Sequence, residues 1–385
     1  MRRIKNLIRK IPFLSFILKV VYDWRHGKKL MAKVVRFRRA GALPYANEAP
    51  SCWGVGHEPT IRCNLRCKMC YQAQTRNLRQ SELSTLDIFK IYEKLRGKVR
   101  EIKIVGGEPF SRHDILELIK FWDDRETAVS LQTNLTMVNA AMVGELKEFK
   151  NIKAVLTSLD GPRDVHDFVR GVPGAFDKMT LAVRLIKQNL PWAEVSIFST
   201  MLLGDNFDNL AQVVDTAKSL GIGSAQFLFE QVNTQKDMQA SKEIFEKRLG
   251  WQKDSYRINT QVRDEVFGGA DIGKIKKQLA ELRRYGARSG CYVNLTPLNF
   301  YKNLDVYLGL KDKKIFCTKL LSPQLRIVQG GEVVWCDIIE KAFGNLLQKS
   351  PEEIWLSEGF QNFRRFLKNG APPICRRCCK AVYVN

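Results

Sequence analysis

Three cysteines stand close together early in the chain, at Cys63, Cys67 and Cys70. They form a C-x3-C-x2-C pattern directly after a predicted strand at residues 58–61. Thiolates are soft ligands that hold zinc or iron–sulfur clusters. A four-iron cluster held by three thiolates keeps one iron without a protein ligand, which a reactive site needs and a closed structural site lacks. On spacing alone, zinc remains an alternative.

A second group of cysteines lies near the carboxyl terminus and comprises Cys317, Cys336, Cys375, Cys378 and Cys379. Gly330 and Gly331 predict the turn of a β-hairpin with strands at 325–328 and 332–335, which would bring Cys317 close to Cys336. The late C-x2-C pair supplies two more thiolates, with Cys379 as an alternative to Cys378. Four thiolates can ligate either an iron–sulfur cluster or zinc.

Strands alternate with helices from about residue 55 onward, which predicts a parallel sheet. The predicted strands lie at 58–61, 101–105, 128–132, 153–158, 194–201 and 225–229. The predicted helices lie at 85–96, 114–124, 140–149, 176–189 and 207–220. Such units form an α/β fold, a partial (β/α)6 barrel, whose ligands bind at the carboxyl ends of the strands.

Polar residues and glycines follow three of these strands: Gly106, Gly107 and Glu108, then Thr133 and Asn134, then Ser158 and Asp160. Glycines allow close backbone approach, and a carboxylate can bind an ammonium group. Thr133 and Asn134 could bind a nucleoside or cap the following helix. His166 and Asp167 are predicted to pair with each other in a loop.

Basic residues are concentrated at the amino terminus. The chain has 385 residues and a net charge of +23, and residues 1–40 hold 13 basic residues against one acid, Asp23. Residues 1–25 predict a basic amphipathic helix, which Pro12 could kink. Such a helix could lie on an anionic membrane surface or dock on the protein's own core. No apolar segment is long enough to span a membrane, and a cytoplasmic protein, located at the inner face of the membrane if the helix binds there, is expected.

Both cysteine sets, in this order, resemble the radical S-adenosylmethionine (SAM) superfamily with a C-terminal SPASM or twitch domain. The run D-G-x4-H-D-x2-R-G at 160–171 and the pattern Cys317-x13-Gly331-x4-Cys336 carry the resemblance further. The first cysteine set would then hold the cluster that binds SAM, and the second set one auxiliary [4Fe-4S] cluster. The resemblance divides the chain into an N-terminal helical extension (1–50), a radical SAM core (51–290) and an auxiliary cluster domain with a β-hairpin and helices (291–385).

The resemblance also assigns roles to individual residues. Gly106, Gly107 and Glu108 would hold the SAM amine, and Ser158 and Asp160 would lie near the ribose. Arg170 would lie near SAM or the substrate, and Tyr71 near the adenine. Asp337, directly after Cys336, would be a general base, a cluster ligand or a surface acid.

The activity that this implies is reductive cleavage of SAM followed by hydrogen abstraction from a substrate, with a net oxidation or bond formation. The N-terminal helix favours a membrane-associated lipid or lipid-linked sugar as substrate. A peptide or protein is the alternative, followed by another small molecule, and a flavodoxin or ferredoxin would donate the electron. Nucleic acid is not expected, because the barrel region lacks a basic patch with interleaved aromatic residues. A non-catalytic, zinc-containing binding protein is the alternative from a different class.

Overall fold

The computed structural model describes residues 12–40, 43, 45–73, 82–265 and 268–384. Its strands, in chain order, are β1 (Trp53–His57), β2 (Val99–Ile104), β3 (Ala128–Gln132), β4 (Ile152–Ser158), β5 (Glu194–Met201), β6 (Ser224–Phe229), β7 (Val232–Asn233), β8 (Arg257–Ile258), β9 (Gln261–Val262), β10 (Tyr292–Thr296), β11 (Lys314–Cys317), β12 (Gln324–Ile327), β13 (Val333–Val334), β14 (Ile339–Glu340) and β15 (Ala381–Val384).

The helices are α1 (Pro12–Arg39), α2 (Thr85–Leu95), α3 (Ile115–Asp123), α4 (Ala140–Leu146), α5 (Arg163–Arg170), α6 (Ala175–Asn189), α7 (Leu210–Ser219), α8 (Gln235–Leu249), α9 (Ile272–Ser289), α10 (Leu304–Tyr307), α11 (Pro351–Leu356) and α12 (Glu358–Asn369). Several begin at residues suited to cap a helix. Ser84 accepts a hydrogen bond from the Asp87 amide at the start of α2, and Ser350 and Glu353 form a capping box at α11.

Among the described residues, nine strands form the main sheet in the order β10-β6-β5-β4-β3-β2-β1-β12-β13. Neighbouring strands pair in parallel, except that β13 returns antiparallel to β12. The predicted α/β fold with a partial barrel is therefore confirmed, and so is the hairpin at Gly330 and Gly331. The barrel is wider than predicted, because β10 joins β6 and β12 joins β1.

The first strand was predicted too late in the chain. β1 ends at His57, and residues 58–61 continue as a loop. Pro59 has no backbone N–H to donate to a neighbouring strand, which disfavours a central strand there. The predicted domain boundary at 290 also falls just before β10, a strand that pairs with β6 in the main sheet. The division into three domains stays a prediction.

The described N-terminal helix α1 begins at Pro12, a residue suited to the first turn of a helix because the amide there needs no partner within the helix. The first eleven residues of the predicted amphipathic helix lie outside the described residues. Toward the end of α1, Val34 and Phe37 are buried. The Phe37 ring meets Phe316 edge-on at 5.5 Å between centroids, and Lys368 donates to the Ala40 carbonyl. This end of the helix is docked on the protein's own core.

Within the described residues, no helix is both long enough and apolar enough to cross a bilayer.

Candidate active site

The loop carrying Cys63, Cys67 and Cys70 leaves the carboxyl end of β1 and passes directly over the end of β2. The amide of Gly107 donates to the Thr60 carbonyl at 2.9 Å, and that of Glu108 donates to the Arg62 carbonyl at 2.7 Å. A Cβ at position 107 would lie 2.3 Å from the Arg62 oxygen and 2.4 Å from the Ile61 oxygen. Gly106 is as restricted, with a φ of +147° and the Thr60 oxygen 2.4 Å from where its Cβ would lie. Both glycines are therefore required for the loop to pack here.

The other side of the cysteine loop is held by the end of α5. The amide of Arg66 donates to the Arg170 carbonyl at 3.0 Å, and that of Lys68 donates to the Val169 carbonyl at 2.9 Å. Gly171 follows in the left-handed conformation at φ +69°, where a Cβ would lie 2.5 Å from the Arg66 oxygen. The predicted R-G pair thus supports the cysteine loop through its backbone.

The Arg170 side chain reaches the same loop. Its Nε donates to Asp160 Oδ2 at 2.6 Å, and its Nη1 lies 3.6 Å from Cys67 Sγ. Nη2 is buried and has no hydrogen-bond partner among the described residues. Burial opposes the positive charge of Arg170, but Asp160 and Cys67 outweigh it and raise its pKa above the usual value. A permanent cation with one unused donor therefore lies beside Cys67.

Glu108 has three partners within the protein. It is fully buried and accepts hydrogen bonds from Thr133 Oγ1 at 2.6 Å, the Asn134 amide at 2.7 Å and the Phe110 amide at 3.1 Å. Burial raises its pKa to about 7, against the opposing effect of these hydrogen bonds. Glu108 thus ties the ends of β2 and β3 together, and its contact with the SAM amine stays a prediction.

Asn134 lies beside the first cysteine. Its Nδ2 donates to Asn64 Oδ1 at 3.0 Å and lies 3.9 Å from Cys63 Sγ. The alternative that Thr133 and Asn134 cap the next helix is wrong, because Asn139 caps α4 by accepting from the Met142 amide. A nucleoside contact for the pair stays a prediction.

Asp160 is fully buried after β4, and its Oδ1 accepts a hydrogen bond from the Thr200 amide at 2.9 Å. His166 does not pair with Asp167 as predicted. Its Nδ1 accepts from the Asp160 amide at 3.3 Å, and burial lowers its pKa to about 4. Asp167 accepts from the Gly174 and Phe176 amides at the start of α6. Ser158 is half-buried at the end of β4, and its contact with the ribose stays a prediction.

The second cysteine set lines one cavity of about 80 Å³. The thiols that face it are those of Cys317, Cys336, Cys375, Cys378 and Cys379. Burial, followed by the proximity of Cys317 and Cys336, raises the pKa of Cys375. A hydrogen bond between Cys378 and Cys379 raises the pKa of Cys378 and lowers that of Cys379. Buried thiols that face one cavity are a donor set suited to an iron–sulfur cluster.

Two arginines between the late cysteines lock this loop in place, and the sequence analysis missed them. Arg377 is buried and its Nη1 donates to Asp237 Oδ2 at 3.1 Å, while Arg376 Nη2 lies 3.6 Å from Asp237 Oδ1. The Ile374 amide donates to Ser241 Oγ at 3.1 Å. Helix α8 therefore clamps the segment that carries Cys375 and Cys378. The sequence does contain a signal for them, namely two adjacent arginines inside the C-x2-C pattern.

A polar crevice lies between the segments that carry the two cysteine sets. Its lining includes Glu58 and Gln72, on either side of the first cysteine loop, together with Cys336 and the adjacent Asp337. Arg326 Nη2 bridges the two, lying 2.6 Å from Glu58 Oε2 and 2.7 Å from Asp337 Oδ1. The ends of β1 and β12 are thus joined by one buried guanidinium.

The Asp337 side chain is 46% exposed within this crevice. Loss of hydration in the crevice would by itself raise the pKa of Asp337. The positive charges of Arg326 and then of Lys319, Lys103 and Lys380 outweigh this effect and lower the pKa below its usual value. Tyr71 faces the same region, and its pKa is raised by burial and then by Asp337 and Glu58. A contact between Tyr71 and adenine stays a prediction.

Comparison with known proteins agrees with this architecture. Residues 57–217 match the model of the radical SAM superfamily, and residues 317–379 match that of an iron–sulfur cluster-binding domain, SPASM. The chain therefore contains a radical SAM domain followed by a SPASM domain, and it is an enzyme that uses SAM and iron–sulfur clusters. The alternative of a non-catalytic zinc-containing protein is therefore wrong.

Its relatives include an AdoMet-dependent heme synthase of Oleidesulfovibrio alaskensis, 27% identical over 325 residues, which are 82% of this chain and 78% of the relative. The mycofactocin maturase MftC of Mycolicibacterium smegmatis is 31% identical over 167 residues, covering 43% of this chain and 41% of the relative. The crystal structure of Streptococcus suis SuiB bound to S-adenosylmethionine shares the fold, with a TM-score of 0.60 and 14% identity over 87% of this chain and 74% of SuiB.

Proposed function

We propose that this enzyme oxidises a C–H bond of a peptide or small-molecule substrate that binds between two [4Fe-4S] clusters. Cys63, Cys67 and Cys70 would hold the SAM-binding cluster. The auxiliary cluster would be held by Cys317, Cys336, Cys375 and Cys378, with Cys379 as the alternative fourth ligand. The observation that carries the proposal is the polar crevice between the two segments. It is lined both by Gln72, two residues after Cys70, and by Cys336.

The residues around each cysteine set fit the proposed groups. The free Nη2 donor of Arg170 beside Cys67 suits an anionic cluster or the carboxylate of SAM. In the second set, the thiols of five cysteines line one cavity, and four of them would be enough to ligate a cluster. Gly106 and Gly107 leave room for the loop and would let SAM approach the backbone closely.

A cluster held by Cys63, Cys67 and Cys70 would supply the electron for reductive cleavage of SAM, the chemistry that would lead to removal of a hydrogen atom from the substrate. The protein's own residues position the reactants. Asp160 orients Arg170 toward the cysteine loop through the 2.6 Å ion pair, and Glu108 fixes the ends of β2 and β3 beside it. Arg326 holds Asp337 in the crevice, where its carboxylate would accept the proton that the substrate loses.

The relatives define the substrate classes that are worth testing. A relative that matches 82% of this chain is named a heme synthase, whereas MftC, which matches 43% of it, is named a maturase. We therefore place a small molecule first and a peptide second. The expected lipid substrate is not part of the proposal. Neither of these relatives has a name that refers to a lipid, and the described end of α1 docks on the protein core. A flavodoxin or ferredoxin as electron donor remains part of the proposal.

Deuterium transfer tests the proposed reaction. With reduced enzyme, SAM and a deuterated substrate, we expect deuterium to appear in 5′-deoxyadenosine, because a hydrogen atom moves from substrate to the SAM-derived radical. Mass spectrometry of 5′-deoxyadenosine would be applied to a panel of carboxylated tetrapyrroles and peptides. Cleavage of SAM that no member of the panel stimulates or labels would count against both substrate classes.

Replacing Asp337 with asparagine tests its role as base. General-base catalysis contributes on the order of 10²-fold or more, so Asp337→Asn should lower product formation by roughly that factor. Release of 5′-deoxyadenosine should continue, because the hydrogen abstraction precedes the proton transfer. Asp337→Glu should restore part of the product yield. The yields of modified substrate and of 5′-deoxyadenosine per SAM consumed would be measured by chromatography. A ratio of the two yields that is unchanged in Asp337→Asn would show that Asp337 is not the base.

A further inference from the structure

Gln231 carries an unused hydrogen-bond donor into the region of the second cysteine set. Its side chain lines the same cavity as the five thiols. Its Nε2 atom is buried and has no hydrogen-bond partner among the described residues. A buried donor without a partner is destabilising, so a native structure seldom retains one. A partner that is not part of the polypeptide would remove that cost.

Hydrogen bonds fix the backbone at Gln231, and this fixes the position from which its side chain reaches the cavity. Gln231 follows the end of β6 within two residues. Its carbonyl accepts a hydrogen bond from Thr260 Oγ1 at 3.1 Å. Thr260 is itself buried and accepts a bond from Asn233 Nδ2 at 3.0 Å. The amide group is therefore presented from a fixed point at the carboxyl edge of the sheet.

The chemistry of the cavity decides which partner fits. Its other polar lining comprises the five thiols, the carboxylate of Asp337 and the ammonium groups of Lys319 and Lys380, and a carboxamide N–H can donate to thiolate or sulfide sulfur. We propose that Gln231 donates a hydrogen bond to a sulfur of the auxiliary cluster, either a sulfide or a ligating cysteine. This inference rests on the proposed auxiliary site.

Such a hydrogen bond has a measurable consequence. Donors near cluster sulfurs stabilise the more negative, reduced state, so they raise the reduction potential. Gln231 is thus a positioning residue that sets how readily the auxiliary cluster accepts an electron. The potential is the property to measure, because a purely structural residue would alter cluster content and leave the potential unchanged.

The test uses the full chain with Cys63, Cys67 and Cys70 replaced by alanine, so that only the second set carries iron. Gln231→Met keeps the size of the side chain and removes the donor. Gln278→Met is the matched control, because the Gln278 amide donates to the Phe207 carbonyl in the groove beside α7 and α9. The reduction potential of each protein would be obtained from an anaerobic redox titration followed by electron paramagnetic resonance.

We expect Gln231→Met to shift the potential to a more negative value and Gln278→Met to leave it unchanged. An equal potential in the Gln231→Met protein, at full cluster content, would overturn the hydrogen bond. If Gln231→Met loses the cluster, Gln231→Asn replaces it, because its shorter side chain withdraws the donor from the cluster sulfur: a potential more negative than that of the parent supports the proposal, and one equal to that of the parent contradicts it. A parent protein without any cluster would refute the proposed auxiliary site instead.

Discussion

Replacing Cys63, Cys67 and Cys70 together with alanine is expected to abolish the reductive cleavage of SAM. The three thiols stand in one loop at the carboxyl end of β1, and no other cysteine set in the described residues adjoins Arg170 and Gly107. Without them the cluster with an open iron has no ligands. The measurement is 5′-deoxyadenosine formed under dithionite by anaerobically reconstituted protein, where a fall to the level of the enzyme-free reaction is expected.

One control protein and one iron measurement make that result specific. Cys52→Ala removes a half-buried cysteine outside both sets and should cleave SAM at the parent rate. The triple variant should also keep about half of the parent's iron, which is about eight per chain when both four-iron sites are filled. A triple variant that still forms 5′-deoxyadenosine at the parent rate would contradict the assignment of these ligands.

The second large effect is expected from Gly107→Ala. The new methyl group would lie 2.3 Å from one backbone oxygen and 2.4 Å from another. Backbone cannot rotate aside as a long side chain can, so the cysteine loop must shift away from β2. Overpacking of this kind typically costs about 1–3 kcal/mol. We expect a lower melting temperature, loss of the first cluster and retention of the second.

Gly144→Ala is the matched control for this substitution. Gly144 lies in α4, and no atom stands within 4 Å of where its Cβ would be. Alanine in a helix is favoured over glycine by roughly 0.5–1 kcal/mol. Gly144→Ala should therefore be as stable as the parent or more so, with both clusters intact. Calorimetry and iron analysis would compare the two, and a Gly107→Ala protein with its full iron content would show that the loop does not depend on this contact.

Sequence patterns with short periods predicted the fold well. The bounds of β3 and β5 were predicted as the structure has them, because alternating burial is a local signal. The pairing of β12 with β1 could not be predicted in that way. It joins segments about 270 residues apart, and its main polar contact is the Arg326–Glu58 pair. No local pattern distinguishes such a strand from an ordinary hairpin strand.

The site shows the same limit. The cysteine spacing indicated two ligand sets, since adjacent ligands are a local feature, and the resemblance then favoured iron–sulfur clusters over zinc. The protein partners of Asp160 and Glu108 were not predicted, and the partner of His166 differs from the predicted Asp167, because these contacts join separate segments of the chain. Asp167 illustrates this, since it caps α6 and makes no bond to its neighbour His166. The clamp of Asp237 on Arg377 joins residues 140 positions apart.

The most direct test is whether SAM binds to the cluster of the first cysteine set. In the full chain with Cys317, Cys336, Cys375, Cys378 and Cys379 replaced by alanine, only that set would carry iron. We predict that adding SAM to the reduced protein changes its electron paramagnetic resonance spectrum, because an iron without a protein ligand gains new ones. A four-iron signal that is identical with and without SAM, at saturating concentration, would contradict the proposal that these three cysteines leave an iron open to SAM.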